Sequence, residues 1–101
     1  MTWPFDEPTN LAVFSVATVL EGKVPIGLVT HDDDDGTWQF LPSAGVDEQS
    51  EAVVVALEEI YRQDPSVGDL ADLPYGWRAW RECAESPWHR EKKAYRQDDD
   101  R

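Results

Sequence analysis

The segment His31-Asp32-Asp33-Asp34-Asp35-Gly36 comes nearest to chemistry, because carboxylates at alternating positions before a glycine open the calcium loop of an EF-hand. Spacing decides against that reading. With Gly36 in the sixth place, the first place falls on His31 and the twelfth on Pro42, where the loop needs an acidic oxygen donor and then a bidentate glutamate. An Asp-Gly pair instead supplies the positive φ of a tight hairpin turn, while the flanking aspartates stay solvated and discourage edge-to-edge pairing. The sequence predicts a negatively charged turn and no metal site.

Nucleophilic chemistry would have to join Cys83 to His31 or His89 across the fold, and nothing in their spacing supports such a dyad. One cysteine forms no intramolecular disulfide and no four-cysteine metal site, which favours a reducing compartment. Cys83 therefore reads as a small buried hydrophobe. Phosphate-binding glycine loops, Gly-x-Ser-x-Gly elbows and His-Glu-x-x-His helices are absent from the sequence, so no catalytic or cofactor-binding residue is assigned.

Trp77, Arg78, Trp80 and Arg81 combine the residue types that dominate interface hot spots. Trp38 and Trp77 are assigned to the core. Arg78, Trp80 and Arg81, together with Asp32, Asp33, Asp34 and Asp35, are the candidate partner-binding residues. The competing reading has the aromatics filling a small core while each arginine stacks or pairs with one of the many carboxylates.

The elements that must position these residues follow from periodicity and turn chemistry. Residues 1–9 carry Pro4 and Pro8 and should run extended, with Trp3 and Phe5 pinning them to the core. A short strand over residues 11–14 leads to a brief helix capped by Ser15 and stopped at Gly22. Residues 24–41 form a hairpin about the acidic turn. Asp47 caps a helix running to about Gln63, with Val53, Leu57, Ile60 and Tyr61 on its inner face. Val53 to Val55 could form a strand in isolation, but their acidic, alanine-containing flanks favour the helix. An irregular stretch to Pro74 precedes a last strand over residues 76–81, with Trp77 and Ala79 on one face and Arg78 and Trp80 on the other. The fold class predicted is α+β: an antiparallel sheet of about four strands in the order β-α-β-β-α-β, with helices on one face. Residues 1–92 make a single domain, and 93–101 form a charged tail expected to be disordered.

The chain has 101 residues and a formal charge of -12, from 21 acids against 9 bases. Residues 1–60 hold 12 of the acids and Lys23 alone among the bases, which gives the molecule one distinctly negative side. Such a charge repels nucleic acid and anionic membranes and can steer a basic partner, although it also serves simply to keep a small protein soluble. The N-terminus has no basic region followed by an apolar one, and the longest apolar run is the six residues Ala52 to Leu57, so neither a signal peptide nor a membrane span is expected.

Three segments carry a resemblance: Thr2-Trp3-Pro4-Phe5-Asp6, the hairpin from His31 through Gly36 to Leu41, and Leu73-Pro74-Tyr75-Gly76-Trp77-Arg78-Ala79-Trp80-Arg81 with Pro87-Trp88. Together they resemble a family of small bacterial proteins of unknown function, over residues 2 to about 90. The hairpin also resembles, more distantly, predicted immunity proteins of polymorphic toxin systems. These resemblances imply an α+β fold and a bacterial cytoplasmic setting, and they bring no catalytic or ligand residues. The expected function is noncatalytic binding of a basic protein, immunity-like in character. The alternative is a small ligand-binding domain or enzyme with its site between the sheet and the long helix.

Overall fold

Buried residues on one side of β1, β2, β3 and β5 build one sheet with a core on a single face. In the computed structural model, which describes residues 3–43 and 51–92, the elements are β1 (Ala12–Val16), α1 (Ala17–Leu20), β2 (Ile26–His31), β3 (Trp38–Pro42), β4 (Ala52–Ala56), α2 (Leu57–Gln63), a 3-10 helix (Pro65–Leu70), β5 (Trp77–Trp80) and β6 (His89–Lys92). Val13, Val29, Trp38, Phe40 and Ala79 point to the core face and meet Val19, Leu57, Ile60, Val67 and Leu70 from the helical segments. Phe14, Val54 and Trp80 project from the opposite face and remain exposed. As expected, Phe5 is buried and Trp3 half-buried, and the Trp3 ring packs against Phe5 and Tyr61.

The sheet has six strands in the order β4-β1-β3-β2-β5-β6, and β1 runs parallel to β3 while the other pairs are antiparallel. This corrects the expected sheet of about four antiparallel strands. The parallel pair arises because β1 does not bond the strand that follows it. The chain passes through α1 to β2, turns back as β3, and places β3 between β1 and β2. Two strands came from segments read otherwise. Ala52-Val53-Val54-Val55-Ala56 is a strand paired with β1, and the expected long helix shrinks to α2, whose start is Leu57. Three consecutive valines lose side-chain freedom in a helix and fit a pleated strand, and β1 offers them a complete ladder. The expected helix start at Asp47 and the expected tail at 93–101 lie outside the described residues. His89–Lys92, read as charged and apolar-poor, is β6 and pairs with β5.

Ser15 lies inside β1, where its Oγ donates to the Phe40 carbonyl at 2.7 Å instead of capping α1. Helix α1 accordingly has Val16 at its N-cap with no side-chain bond, and it ends before Gly22, whose φ of 76° is the left-handed stop expected there. In α2, Glu58 and Glu59 stand in the first turn and Arg62 in the last, the charge order that the helix dipole favours.

Candidate functional site

Two strands and a hydrogen-bonded loop hold the aspartate run in place. Antiparallel pairing of β2 with β3 ends at His31 and Trp38, and beyond them the Asp32 amide donates to the Thr37 carbonyl at 2.8 Å. Gly36, at φ 76°, turns the chain back and donates its amide to the Asp32 carbonyl. Asp32 Oδ1 accepts from the Asp34 amide, and Asp35 Oδ1 accepts from both the amide and the hydroxyl of Thr37. The two Thr37 bonds hold the Asp35 carboxyl below its ordinary value of 3.8. The run is thus the hairpin turn expected of it, although the loop spans Asp32 to Thr37 and is longer than a two-residue turn.

Carboxylate oxygens of Asp32, Asp33 and Asp34 can lie within 4.8 Å of one another. Asp33 to Asp35 are exposed and Asp32 half-buried. Among the described residues, no ion pair involves any of the four aspartates, so no described base offsets the charge of the turn.

His31 anchors the base of the turn. Its buried ring stacks on Trp38 with centroids 3.9 Å apart, and its Nδ1–H donates to the Leu73 carbonyl at 2.8 Å. The His31 carbonyl accepts the Gly76 amide, clasping the Leu73 to Gly76 turn against the hairpin. That clasp presents Tyr75, a residue not selected from the sequence. Its side chain is 65% exposed, lies over Gly36 and stands 4.5 Å from the His31 ring. The signal was present in Pro74-Tyr75-Gly76, where an aromatic residue sits in a turn and has no strand or helix face to fill.

The other candidates separate from the turn and from each other. Arg78 and Trp80 share the face opposite Ala79, as the alternation predicted, and that face is the open one. Arg78 Nε donates to Glu91 at 2.6 Å, and Trp80, 39% exposed, stacks on His89 at 4.5 Å. They border a shallow depression of about 570 Å³ with Leu28 and Ser43. Arg81 faces the other way and is 3% exposed. Its guanidinium donates to Asp64 at 2.7 Å, to Ser66 Oγ, and to the carbonyls of Ile26 and Ala84, and it lies 4.1 Å over the Trp88 ring. Arg81 therefore follows the second sequence reading, as a buried staple among β2, the 3-10 helix and the lead-in to β6. Cys83, expected to be buried, is exposed beside Ser86, because the chain leaves the sheet at Glu82.

Beneath the sheet, the core face of α2 is closed, with Leu57 and Ile60 fully buried. A depression of about 390 Å³ lies at the end of α2, lined by Gln63, Asp64 and residues 22–26, and one of about 360 Å³ is lined by Trp88, Arg90 and Ser66. No helix among the described residues is long and apolar enough to cross a membrane. No family model, curated protein or solved structure matches the chain.

Proposed function

We propose that the protein is a noncatalytic binding domain that engages a basic protein partner through the acidic hairpin. The observation that carries this reading is the charge of Asp32 to Asp35, offset by no base among the described residues, on a turn held by two strands. Several acids elsewhere, Asp64, Asp72 and Glu91 among them, already have an arginine. Preorganised like charges at a protruding turn accelerate encounter with an oppositely charged surface, and the exposed Tyr75 ring beside them supplies the rigid apolar contact that charge alone lacks. The resemblance to predicted immunity proteins names one class of partner: a basic toxin such as a nuclease, neutralised by direct contact in a bacterial cytoplasm. Trp80 and Arg78 lie farther along the open sheet face and would extend the contact only for a partner that wraps the hairpin.

The test is capture from the native host with tagged protein at low ionic strength, comparing wild type with a variant in which Asp32 to Asp35 are all asparagine. A basic protein that elutes from the wild type at about 0.5 M salt and is missing from the variant is the expected result, since exposed charge attraction is screened at that ionic strength. Equal recovery by both proteins, or recovery of nothing by either, overturns it. Tyr75→Ala should weaken the same capture about tenfold, which corresponds to a hot spot of about 1.4 kcal/mol.

A further inference from the structure

Among the described residues the outer edge of β4 is unpaired, and its chemistry selects what can close it. Residues of β1 and β4 pair so that Ala12 faces Ala56 and Val16 faces Ala52. At the two ends of this ladder the Ala17 amide donates to the Glu51 carbonyl and the Leu57 amide donates to the Leu11 carbonyl. In an antiparallel ladder, closely bonded pairs alternate with open ones. Glu51, Val53, Val55 and Leu57 therefore turn their backbone groups to β1, whereas Ala52, Val54 and Ala56 turn theirs outward. Among the described residues no strand pairs with that outer row.

Nothing in β4 guards the row. Sheet edges are ordinarily blunted by charge, proline or a bulge, and β4 has none of these: its residues are Ala-Val-Val-Val-Ala, and its register with β1 is unbroken. Val54 is 59% exposed on the open face next to its cross-strand neighbour Phe14, which is 42% exposed. The strand also reads the same in both directions about Val54. We infer that the β4 edge pairs with the β4 edge of a second copy of this chain, antiparallel and centred on Val54.

The register follows from symmetry. Val54 lies opposite Val54 of the second copy, and Ala52 lies opposite Ala56. All three outward-facing residues then fall in closely bonded pairs, and three such pairs exchange about six backbone hydrogen bonds. On the open face the two Val54 side chains meet between the two Phe14 rings, so one apolar row crosses the junction without a gap. The five-residue strand is about 17 Å long, and pairing it buries roughly 600 Å² in total, about half of what a stable standard-size interface buries. Area and charge both make the association weak. Glu51 and Glu58 from the two copies approach at each end, and among the described residues a base offsets Glu58 alone, through Arg62. Added salt therefore strengthens this association, opposite to its effect on capture of a basic partner.

Sedimentation equilibrium from about 5 to 500 µM protein tests the pairing. The weight-average mass should rise from 11.5 kDa toward twice that value. It should rise further at about 0.5 M salt, where like-charge repulsion is screened. Val54→Lys should remain monomeric at every concentration while still folding, its melting temperature lower by no more than a few degrees, because its exposed side chain gives up only the cross-strand pairing with Phe14. Amide exchange gives a readout independent of any variant. In dilute solution the Ala52, Val54 and Ala56 amides should exchange fast and those of Val53 and Val55 slowly, and at high concentration all five should be slow. A mass that stays at 11.5 kDa overturns the inference, as does association undiminished in Val54→Lys. Protection of the three outward amides in dilute solution also overturns it, since a segment of the same chain would then cover the edge. The all-asparagine hairpin variant should still dimerise, so failure of the pairing and failure of the proposed partner binding are separable.

Discussion

The two edges of the sheet are finished by opposite means. β4 is Ala-Val-Val-Val-Ala and is attached through its ladder to β1 and through the apolar side chains of α2, which follows it directly. β6 is His-Arg-Glu-Lys and is attached by charge: Glu91 to Arg78, and Arg90 to Asp72 and to the Asp69 carbonyl, with His89 stacked on Trp80. Trp88, just before β6, is covered by the Arg81 guanidinium. The contrast means that the two ends of one sheet differ in what can cover them. A row of charged side chains makes the β6 edge costly to cover, because a second strand would have to desolvate them. The β4 edge has no such cost and depends on packing volume instead.

The largest effects come from removing what holds each end. Arg81→Ala strips a buried guanidinium from Asp64 and leaves that carboxylate, which is half-buried, without its partner. Loss of about 3 kcal/mol in urea unfolding is expected, the lower end for a broken buried pair. Leu57→Ala empties a fully buried site at the start of α2 and should cost about the same by cavity formation. The two variants differ in where exchange quickens. Arg81→Ala should release the amides of β5 and β6 first, and Leu57→Ala those of β4. Equal loosening of both edges in either variant would show the sheet opening as one unit and would dissolve the contrast between its ends.

Much of one end was legible in the sequence and much of the other was not, for reasons that lie in the residues. The hairpin was readable because Asp35-Gly36 acts locally, and both of its strands depend on neighbours a few residues away. Alternation along Trp77 to Trp80 correctly put Arg78 and Trp80 on the face opposite Ala79, and the assembled sheet makes that the open one. β4 was hidden because Glu51, Glu58 and Glu59 extend an amphipathic helical pattern on both sides of the valines, and only the distant β1 decides in favour of a strand. β6 has no apolar period to read, since its strand character comes entirely from pairing with β5. The parallel β1–β3 pair is likewise a property of the assembled chain. Of the candidate residues, Asp33 to Asp35 stand together and exposed as expected, while Asp32 is half-buried at the base of the turn. Arg81 turned inward because Asp64, Ser66 and the Ile26 carbonyl converge on it from separate segments, which no local spacing announces.

Acid should part the two ends at intermediate cost. The Asp72 carboxyl is held below its ordinary value of 3.8 by the hydrogen bond and charge of Arg90, and Asp35 is held below the same value by Thr37. A carboxyl whose folded value is depressed lends stability above the unfolded value and loses it as the pH falls through the folded one. Both contributions are therefore whole at neutral pH and fade below about pH 4. Amide exchange and backbone chemical shifts followed from pH 5 down to about pH 3 should show β6 and the hairpin loop loosening while β4 keeps its protection. Earlier loosening of β4 would contradict the assignment of charge to the β6 end alone.

The smallest expected effect is the most specific to the β6 edge. Arg78 and Glu91 form an ion pair across the β5–β6 register, with both side chains about half exposed, so solvent screening limits its worth. A double-mutant cycle with Arg78→Gln and Glu91→Gln should return a coupling of about 0.5 kcal/mol, which shrinks toward zero in about 1 M salt. The matching cycle at the other edge, Phe14→Ala with Val54→Ala, joins an apolar cross-strand pair and should return a coupling of similar size that salt leaves unchanged or slightly increases. Opposite salt responses from two couplings of equal magnitude would show that the edges differ in the kind of force that holds them and not in how tightly they are held. A salt-sensitive coupling between Phe14 and Val54 would remove that distinction.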